Sequence, residues 1–540
     1  MTSLLDPRPP TPSVVIPKKV SMSRPEPFSR WMVPVVLVAL AIVAAVGSTG
    51  FLEADELTHF LNSKKVWSDW QALLSIWGRL GCTAFYAPGA WLGLMWARLM
   101  AVGVTILVGV GTTMLLRHFL PRGSAEGGAI AWKARHATAL VWLLLFAQPL
   151  FALNSFTVMT EMLLACTWVW AAVVLIKCRH WRGRGVVLAA AVLGLGGLMR
   201  PEGWLAIASW PGMVWVWLSL HTGGAVQPVG GRLRQTLAAT YVAGAPTLLW
   251  YLLGVCGFGD WGWVLVHWPW AAESPYGKTG LHFLFSAVVS MGIWMWPFLV
   301  VGMLSILWPA WLALRRRARW ESLDRDALLL LVVPFVSVFT VHGVLGSLGL
   351  FGSMSLPRYF LCVAPMAAVL ALVGCLRVES RVHRSRWRRR TLRVLVVGLP
   401  VLTLIALMGT GYLPMWALVS TRRMDIAADE VRQHVPEAEF EERLILGHPY
   451  LIYKLGMPLG TNADRRVFSE KEMTSAPAGT LLVIQQNLWV KEGRWPADQL
   501  VRWGYREDVA FNARADQLKE WHPLTLEQGD LSRVRIWVKE

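Results

Sequence analysis

The sequence predicts an α-helical polytopic membrane protein of about eleven transmembrane helices, followed by a small extracytoplasmic α/β domain. Three observations predict it. Of 540 residues, 55% are hydrophobic and only 16% are charged, against roughly 25% charged in a soluble domain. Apolar runs long enough to cross a bilayer recur up to about residue 415, and such runs belong in lipid. Beyond that point the composition shifts to many charges and short β-like runs, the mark of a packed soluble unit.

Taken in chain order, residues 1–30 are Pro- and Ser-rich with Lys18, Lys19, Arg24 and Arg30, and read as a disordered cytoplasmic tail. The run 31–52 follows. It exceeds the roughly 7–15 residues of a signal-peptide core and is expected to be an uncleaved first span. Further apolar runs lie near 88–116, 136–152, 158–176, 185–199, 203–220, 236–257, 283–314, 327–346, 357–376 and 394–414. With the first they make eleven and define a transmembrane unit over 31–415. The run at 283–314 is too long for one straight span, so Pro297 is expected to mark a kink or an interfacial helix before the true span.

Charge gives the orientation. The chain carries 52 Lys and Arg against 34 Asp and Glu, a net +18. In a soluble protein that excess would point to nucleic acid. With the N-terminus placed inside, however, every strongly basic loop falls on one side: 117–135, 177–184, 221–235, 315–326 and 377–393. The last, "RVESRVHRSRWRRRTLR", holds eight arginines against one glutamate. This is the bias that orients membrane proteins, so no nucleic-acid partner is expected. Six cysteines, none in a CxxC pair and none in the last 165 residues, argue against a disulfide framework or a zinc ribbon.

The opposite, extracytoplasmic face collects the chemically capable residues. It receives 51–60, 154–161, 199–203, the loop 257–282, 352–360 and the C-terminal segment 416–540. In that segment strands are expected at 443–448, 480–485 and 533–538 and a helix at 424–435, with no GxGxxG, P-loop or CxxC motif. Charges at membrane depth are costly, so a group of them on one rim implies function.

The first group is "FLEADELTHFLN", with Glu53, Asp55, Glu56 and His59. On a helix, Asp55 and His59 are i,i+4 neighbours and Glu56 and His59 are i,i+3 neighbours. Carboxylates sharing a partly dry pocket push their pKa values apart, which suits one of them to act as a general base. The same pattern also suits a solvated loop opening an interfacial helix. "DELTH" lacks the first histidine of a zinc-protease motif, and neither a metal nor any other cofactor is expected. "MRPEG" sets Arg200 and Glu202 around a proline, either a helix cap with a local salt bridge or part of the site. "LPRYF" sets Arg358 and Tyr359 where a span re-enters the membrane. A guanidinium there suits a phosphate, bound through paired charge-assisted hydrogen bonds, or snorkels to ordinary headgroups. Glu161 stands at the mouth of "TVMTE", and Tyr276, Lys278 and His282 lie in the Trp-rich loop.

An acidic first outer loop, an Arg-Pro pair closing a middle span, "PYGKTGLHF" and "PRYFL" together resemble the GT-C glycosyltransferases. "ADELTHF" is similar to the acidic motif of the mannosyltransferase branch, and "YGKTGLHF" to the bacterial branch of aminoarabinose transfer and protein mannosylation. The resemblance covers roughly 31–415. It implies an inverting transfer from a polyprenyl-phosphate sugar on the extracytoplasmic face. Asp55 would be the general base, with Glu56 the substitute. Arg358, Arg200 and Lys278 would hold the departing phosphate. Glu53, His59, Glu161, Glu202, Tyr276, His282 and Tyr359 would line the pocket. The motif is E-A-D-E rather than a D-x-D pair, so a divalent metal is not implied. The acceptor stays open among glycan, lipid and protein.

Two rivals bear on this reading. A lipid-linked glycan ligase or polymerase would share the arginines and the lipid donor without needing the acidic loop. A transporter or flippase calls for ionisable residues at mid-span, and here the charges sit at one rim. Apart from substrates, membrane lipids are the expected surroundings. The ending "RIWVKE" carries no ER retrieval signal, which points to a plasma (inner) membrane of bacterial type.

Overall fold

A computed structural model describes residues 27–51, 54–76, 78–120, 128–178, 183–220, 228–266, 278, 280, 282–316, 322–350, 356–381, 386–417, 419–457, 470–485, 497–516 and 533–540. The tail 1–26, Glu53, and residues 267–277, 279 and 281 of the loop between 257 and 282, Tyr276 among them, lie outside them.

The helices run in chain order as α1 (Pro27–Gly47), α2 (Ala54–Lys65), α3 (Leu80–Leu92), α4 (Leu94–Phe119), α5 (Gly128–Phe146), α6 (Pro149–Asn154), α7 (Thr160–Lys177), α8 (Gly183–Met199), α9 (Pro201–Leu220) and α10 (Val229–Phe258). They continue as α11 (Trp263–Val266), α12 (His282–Met291), α13 (Trp296–Arg316), α14 (Ser322–Ala327), α15 (Val333–Leu348), α16 (Ala364–Arg381) and α17 (Arg386–Gly409). Among the described residues, eight stretches are long and apolar enough to cross a membrane, and four shorter apolar helices accompany them: Trp31–Gly47, His136–Phe146, Gly183–Met199 and His282–Met291. The chain is a multi-pass membrane protein, and the eleven expected runs map onto these twelve segments with two differences. The run at 88–116 is split at Gly93, whose φ of 123° ends α3 and starts α4. The long run at 283–314 breaks at Gly292 (φ 81°), ahead of Pro297, which sits in the first turn of α13, where proline is tolerated.

Small residues let the helices approach. A Cβ on Gly374 would lie 1.9 Å from Phe298 O, and one on Gly302 would lie 2.0 Å from Leu370 O. α13 and α16 thus cross backbone to backbone, the packing that lipid-embedded helices use in place of a hydrophobic drive. At one end of the bundle His118 Nε2 lies 2.7 Å from Asp326 Oδ2, tying the end of α4 to the start of the stretch leading into α15. The other end of those same helices carries the candidate site.

The C-terminal segment holds α18 (Val419–His434), α19 (Phe440–Arg443), α20 (Pro449–Leu455), α21 (Glu470–Ser475) and two further helices, Ala497–Arg502 and Val509–Asp516. Its strands are β1 (Leu444–Leu446), β2 (Leu481–Gln485), β3 (Tyr505–Glu507) and β4 (Val534–Lys539), in the order β1-β2-β4-β3. β1 runs parallel to β2, while β4 is antiparallel to β2 and to β3. β2 is buried along its whole length because both faces are covered, as its continuous apolar run implies. Leu482 and Ile484 pack with Trp503, Tyr505 and Trp537, while Leu481 and Val483 join the main core with residues of α18. This unit rests on α2. Phe51 and Tyr450 stack at 5.0 Å and 22°, and Phe60 meets Tyr453 edge-on at 5.8 Å.

Candidate active site at one rim of the bundle

Four chain junctions deliver the site. α2 starts with Asp55 and Glu56 in its first turn and ends with Lys64 and Lys65, a charge order that suits the helix dipole. α7 starts at Thr160 and Glu161. The loop ahead of it is held by hydrogen bonds from Thr105 Oγ1 to Ser155 O (2.8 Å) and from Tyr86 OH to Met159 O (3.4 Å). α8 stops at Met199 because Pro201 follows, and the residue before a proline leaves the helical region. Arg200 therefore occupies the joint between α8 and α9. Pro357 likewise opens a 3₁₀ turn, Pro357–Val363, which aims Arg358 and Tyr359 inward before α16 begins.

These junctions converge on one charged cluster. Arg358 Nη2 lies 2.7 Å from Asp55 Oδ2, and its Nε lies 3.7 Å from Glu161 Oε1. Arg200 Nη1 donates to that same Glu161 oxygen and to Thr160 Oγ1 at 2.9 Å. Its Nε and Nη2 grip both Glu202 oxygens at 2.9 and 3.0 Å. His342 Nε2 stands 3.4 Å from Glu202 Oε1, and the His342 ring stacks on Tyr359 at 4.5 Å. The Arg200 and Arg358 guanidiniums lie 5.4 and 6.0 Å from the Tyr359 ring centre, within cation–π range. Two arginines and three carboxylates thus share a site that is mostly closed to solvent. Glu161 is only 1% exposed.

Of the residues expected in the site, Asp55, Glu161, Arg200, Glu202, Arg358 and Tyr359 come together. His59 stands one helical turn from Asp55 on α2 and is buried. Burial pushes its imidazole down to about 4, against the pull of Asp55 and Glu161, so it is neutral at physiological pH. Its Nδ1 is buried without a hydrogen-bond partner among the described residues. Glu56 goes elsewhere. It is fully buried and accepts from Arg98 Nε at 2.8 Å. Lys278 and His282 are exposed, and among the described residues neither pairs with the cluster. Glu53 and Tyr276 lie outside the described residues.

Sequence reading missed three members. His342 is a lone histidine inside an apolar run, and Arg98 a lone arginine in another; an ionisable residue in a span is itself the signal. Arg79, within electrostatic reach of Arg200, Glu202 and Asp55, sits at a φ of 62°, a backbone conformation uncommon outside glycine. Among the described residues no three His, Cys, Asp or Glu side chains converge as metal ligands.

The fold is a helical membrane bundle with a charged rim, followed by a C-terminal α/β unit. The solved structures it resembles include two of ArnT from Cupriavidus metallidurans. The apo form aligns at a TM-score of 0.53 and 18% identity, over 85% of this chain and 93% of ArnT. The form bound to undecaprenyl phosphate aligns at 0.54 and 16% identity, over 94% and 97%. No protein-family model and no curated protein sequence matches the chain. At these identities the similarity establishes the fold.

Proposed function

We propose that the protein is a glycosyltransferase that moves a sugar from a polyprenyl-phosphate donor to an acceptor hydroxyl on the extracytoplasmic face, with inversion at the sugar. The observation that carries this reading is the contact between the Asp55 carboxylate and the Arg358 guanidinium, with Arg200 on the far side of Glu161. A carboxylate and two guanidiniums within one small volume support a base acting beside a phosphate site. The ArnT fold, one form of which is bound to undecaprenyl phosphate, supports a lipid phosphate as the ligand of those cations.

Asp55 takes the acceptor hydroxyl proton while the hydroxyl oxygen bonds to the anomeric carbon. The bond from that carbon to the phosphate oxygen breaks, and the electron pair leaves with the polyprenyl phosphate. Arg358 and Arg200 stabilise the charge that grows there, which contributes to rate as well as binding. Between the two adjacent acids Asp55 is favoured, because the Glu56 carboxylate is committed to Arg98. Lys278 is assigned no more than an outer contact.

The test is transfer in proteoliposomes supplied with labelled undecaprenyl-phosphate sugars. The Asp55→Asn, Glu56→Gln double variant is expected to lose transfer; full turnover by it ends the reading. Sidedness is tested separately with a cysteine at exposed position 278. An impermeant thiol reagent is expected to reach it from outside, and labelling only from the cytoplasm overturns the assigned face.

A further inference from the structure

Arg98 stands in the second turn of α4, 2% exposed, in the part of the bundle where an unpaired charge is most costly. Among the described residues its guanidinium makes three contacts. Nε donates to Glu56 Oε1 at 2.8 Å, Nη1 to Ser48 O at 3.0 Å and Nη2 to Gly50 O at 2.7 Å. The two carbonyls belong to the link between α1 and α2, so one side chain grips that link and the first turn of α2 together. The far side of the link is gripped as well. Thr49 N and Gly50 N donate to Met415 O, both at 3.0 Å. Met415 N donates to Ser48 Oγ at 2.8 Å. A Cβ at residue 50 would lie 2.3 Å from Trp416 O, so only glycine lets the two segments close. Phe51 then stacks on Tyr450 of the C-terminal unit.

Glu56 and Asp55 are adjacent, and adjacent residues point about 100° apart around a helix of 3.6 residues per turn. Fixing Glu56 on Arg98 fixes the rotation of α2 about its axis. That rotation turns Asp55 toward Arg358. We propose that Arg98 and Glu56 form a positioning clamp that sets the angle and depth at which Asp55 meets Arg358. The catalytic half of this inference rests on Asp55 being the base; the geometric half does not.

The test removes both charges at once with a Glu56→Met, Arg98→Met double variant. An apolar pair of similar volume often preserves folding where a single removal strands a buried charge. Three readouts separate positioning from simple loss of fold. Cysteines replacing Asp55 and Arg358 are joined by a short bifunctional thiol reagent, with and without the clamp. Undecaprenyl phosphate binding is measured on the clamp variant, and kcat is measured with the undecaprenyl-phosphate sugar that serves the wild type. Cross-linking is expected to slow and kcat to fall by about a hundredfold, the scale of an ångström-sized misplacement. Undecaprenyl phosphate affinity is expected to stay close to that of the wild type, because both arginines of the cluster remain. A wild-type cross-linking rate overturns the clamp, whatever the turnover. Slowed cross-linking with unchanged kcat overturns its catalytic role. Full turnover by Asp55→Asn alone overturns the reading of Asp55 as the base, and cross-linking still decides the geometry.

Discussion

Asp55 Oδ2 lies 2.7 Å from Arg358 Nη2, so the proposed base and the proposed phosphate ligand occupy each other. A phosphate that takes over the guanidinium releases the carboxylate for the acceptor hydroxyl. Under the proposed function Asp55 would both compete with the donor and serve the reaction once the donor is bound. Asp55→Asn separates the two roles. Transfer is expected to fall by roughly 10²–10⁴-fold, the usual contribution of a general base. Affinity for undecaprenyl phosphate is expected to rise, on the order of tenfold, because the competing charge is gone. Both are read on the same purified protein, by transfer and by equilibrium binding. A joint loss of binding and transfer would contradict the arrangement.

Arg358 faces two carboxylates, Asp55 and Glu161, through different nitrogens. A lysine ammonium is a single point charge and cannot reproduce that fork or a bidentate phosphate contact. Arg358→Lys is expected to weaken undecaprenyl phosphate binding by about tenfold, and Arg358→Gln by more, since a charge-assisted hydrogen bond contributes about 1.5–3 kcal/mol. Equal binding by Arg358→Lys and wild type would show that charge alone suffices there.

Glu161 is the hub of the cluster, meeting Arg200, Thr160 and Arg358. Its removal leaves Arg200 with Glu202 as its remaining carboxylate contact in the cluster. Glu161→Ala is expected to destabilise the folded protein by about 3–5 kcal/mol, the cost of breaking a buried pair from one side. Glu161→Gln keeps the shape and an acceptor oxygen and is expected to lose less. Thermal unfolding in detergent compares the two, and equal losses would point to a role for the negative charge alone.

Most of the bundle was legible in the sequence, because apolar runs longer than a bilayer have few alternatives. The site was half legible. Arg200 and Arg358 stood out because each sits beside a proline that ends or starts a helix, and a proline is visible in one dimension. Arg98 and His342 did not, because each reads as a single blemish in an apolar run and its partner is distant: 42 residues separate Arg98 from Glu56. Asp55 and Glu56 could not be ranked from their order, since only the rotation of α2 sends them to different partners. β3, "YRE", escaped because three polar-flanked residues carry no alternation. The split at Gly93 escaped because an isolated glycine is common in membrane helices.

His59 gives the fold a pH dependence whose sign is set by burial. Its imidazole is held down to about 4 from an unperturbed 6.5, chiefly by desolvation, with Asp55 and Glu161 opposing the shift and Arg200 and Arg79 adding to it. Between these values the unfolded chain binds a proton that the folded chain refuses. Stability therefore rises with pH across that window. The contribution is fully present above about 6.5 and is lost as pH falls toward 4, amounting to about 3 kcal/mol at 1.36 kcal/mol for each pKa unit. Thermal unfolding at pH 7.5 and at pH 5 reads the part lost by pH 5, about 2 kcal/mol, with the carboxylates of the cluster common to both proteins compared. His59→Gln, which cannot titrate, is expected to show a shallower decline than the wild type. Parallel declines would place the acid sensitivity on the carboxylates, because a histidine that binds its proton equally in the folded and the unfolded chain adds nothing to the slope.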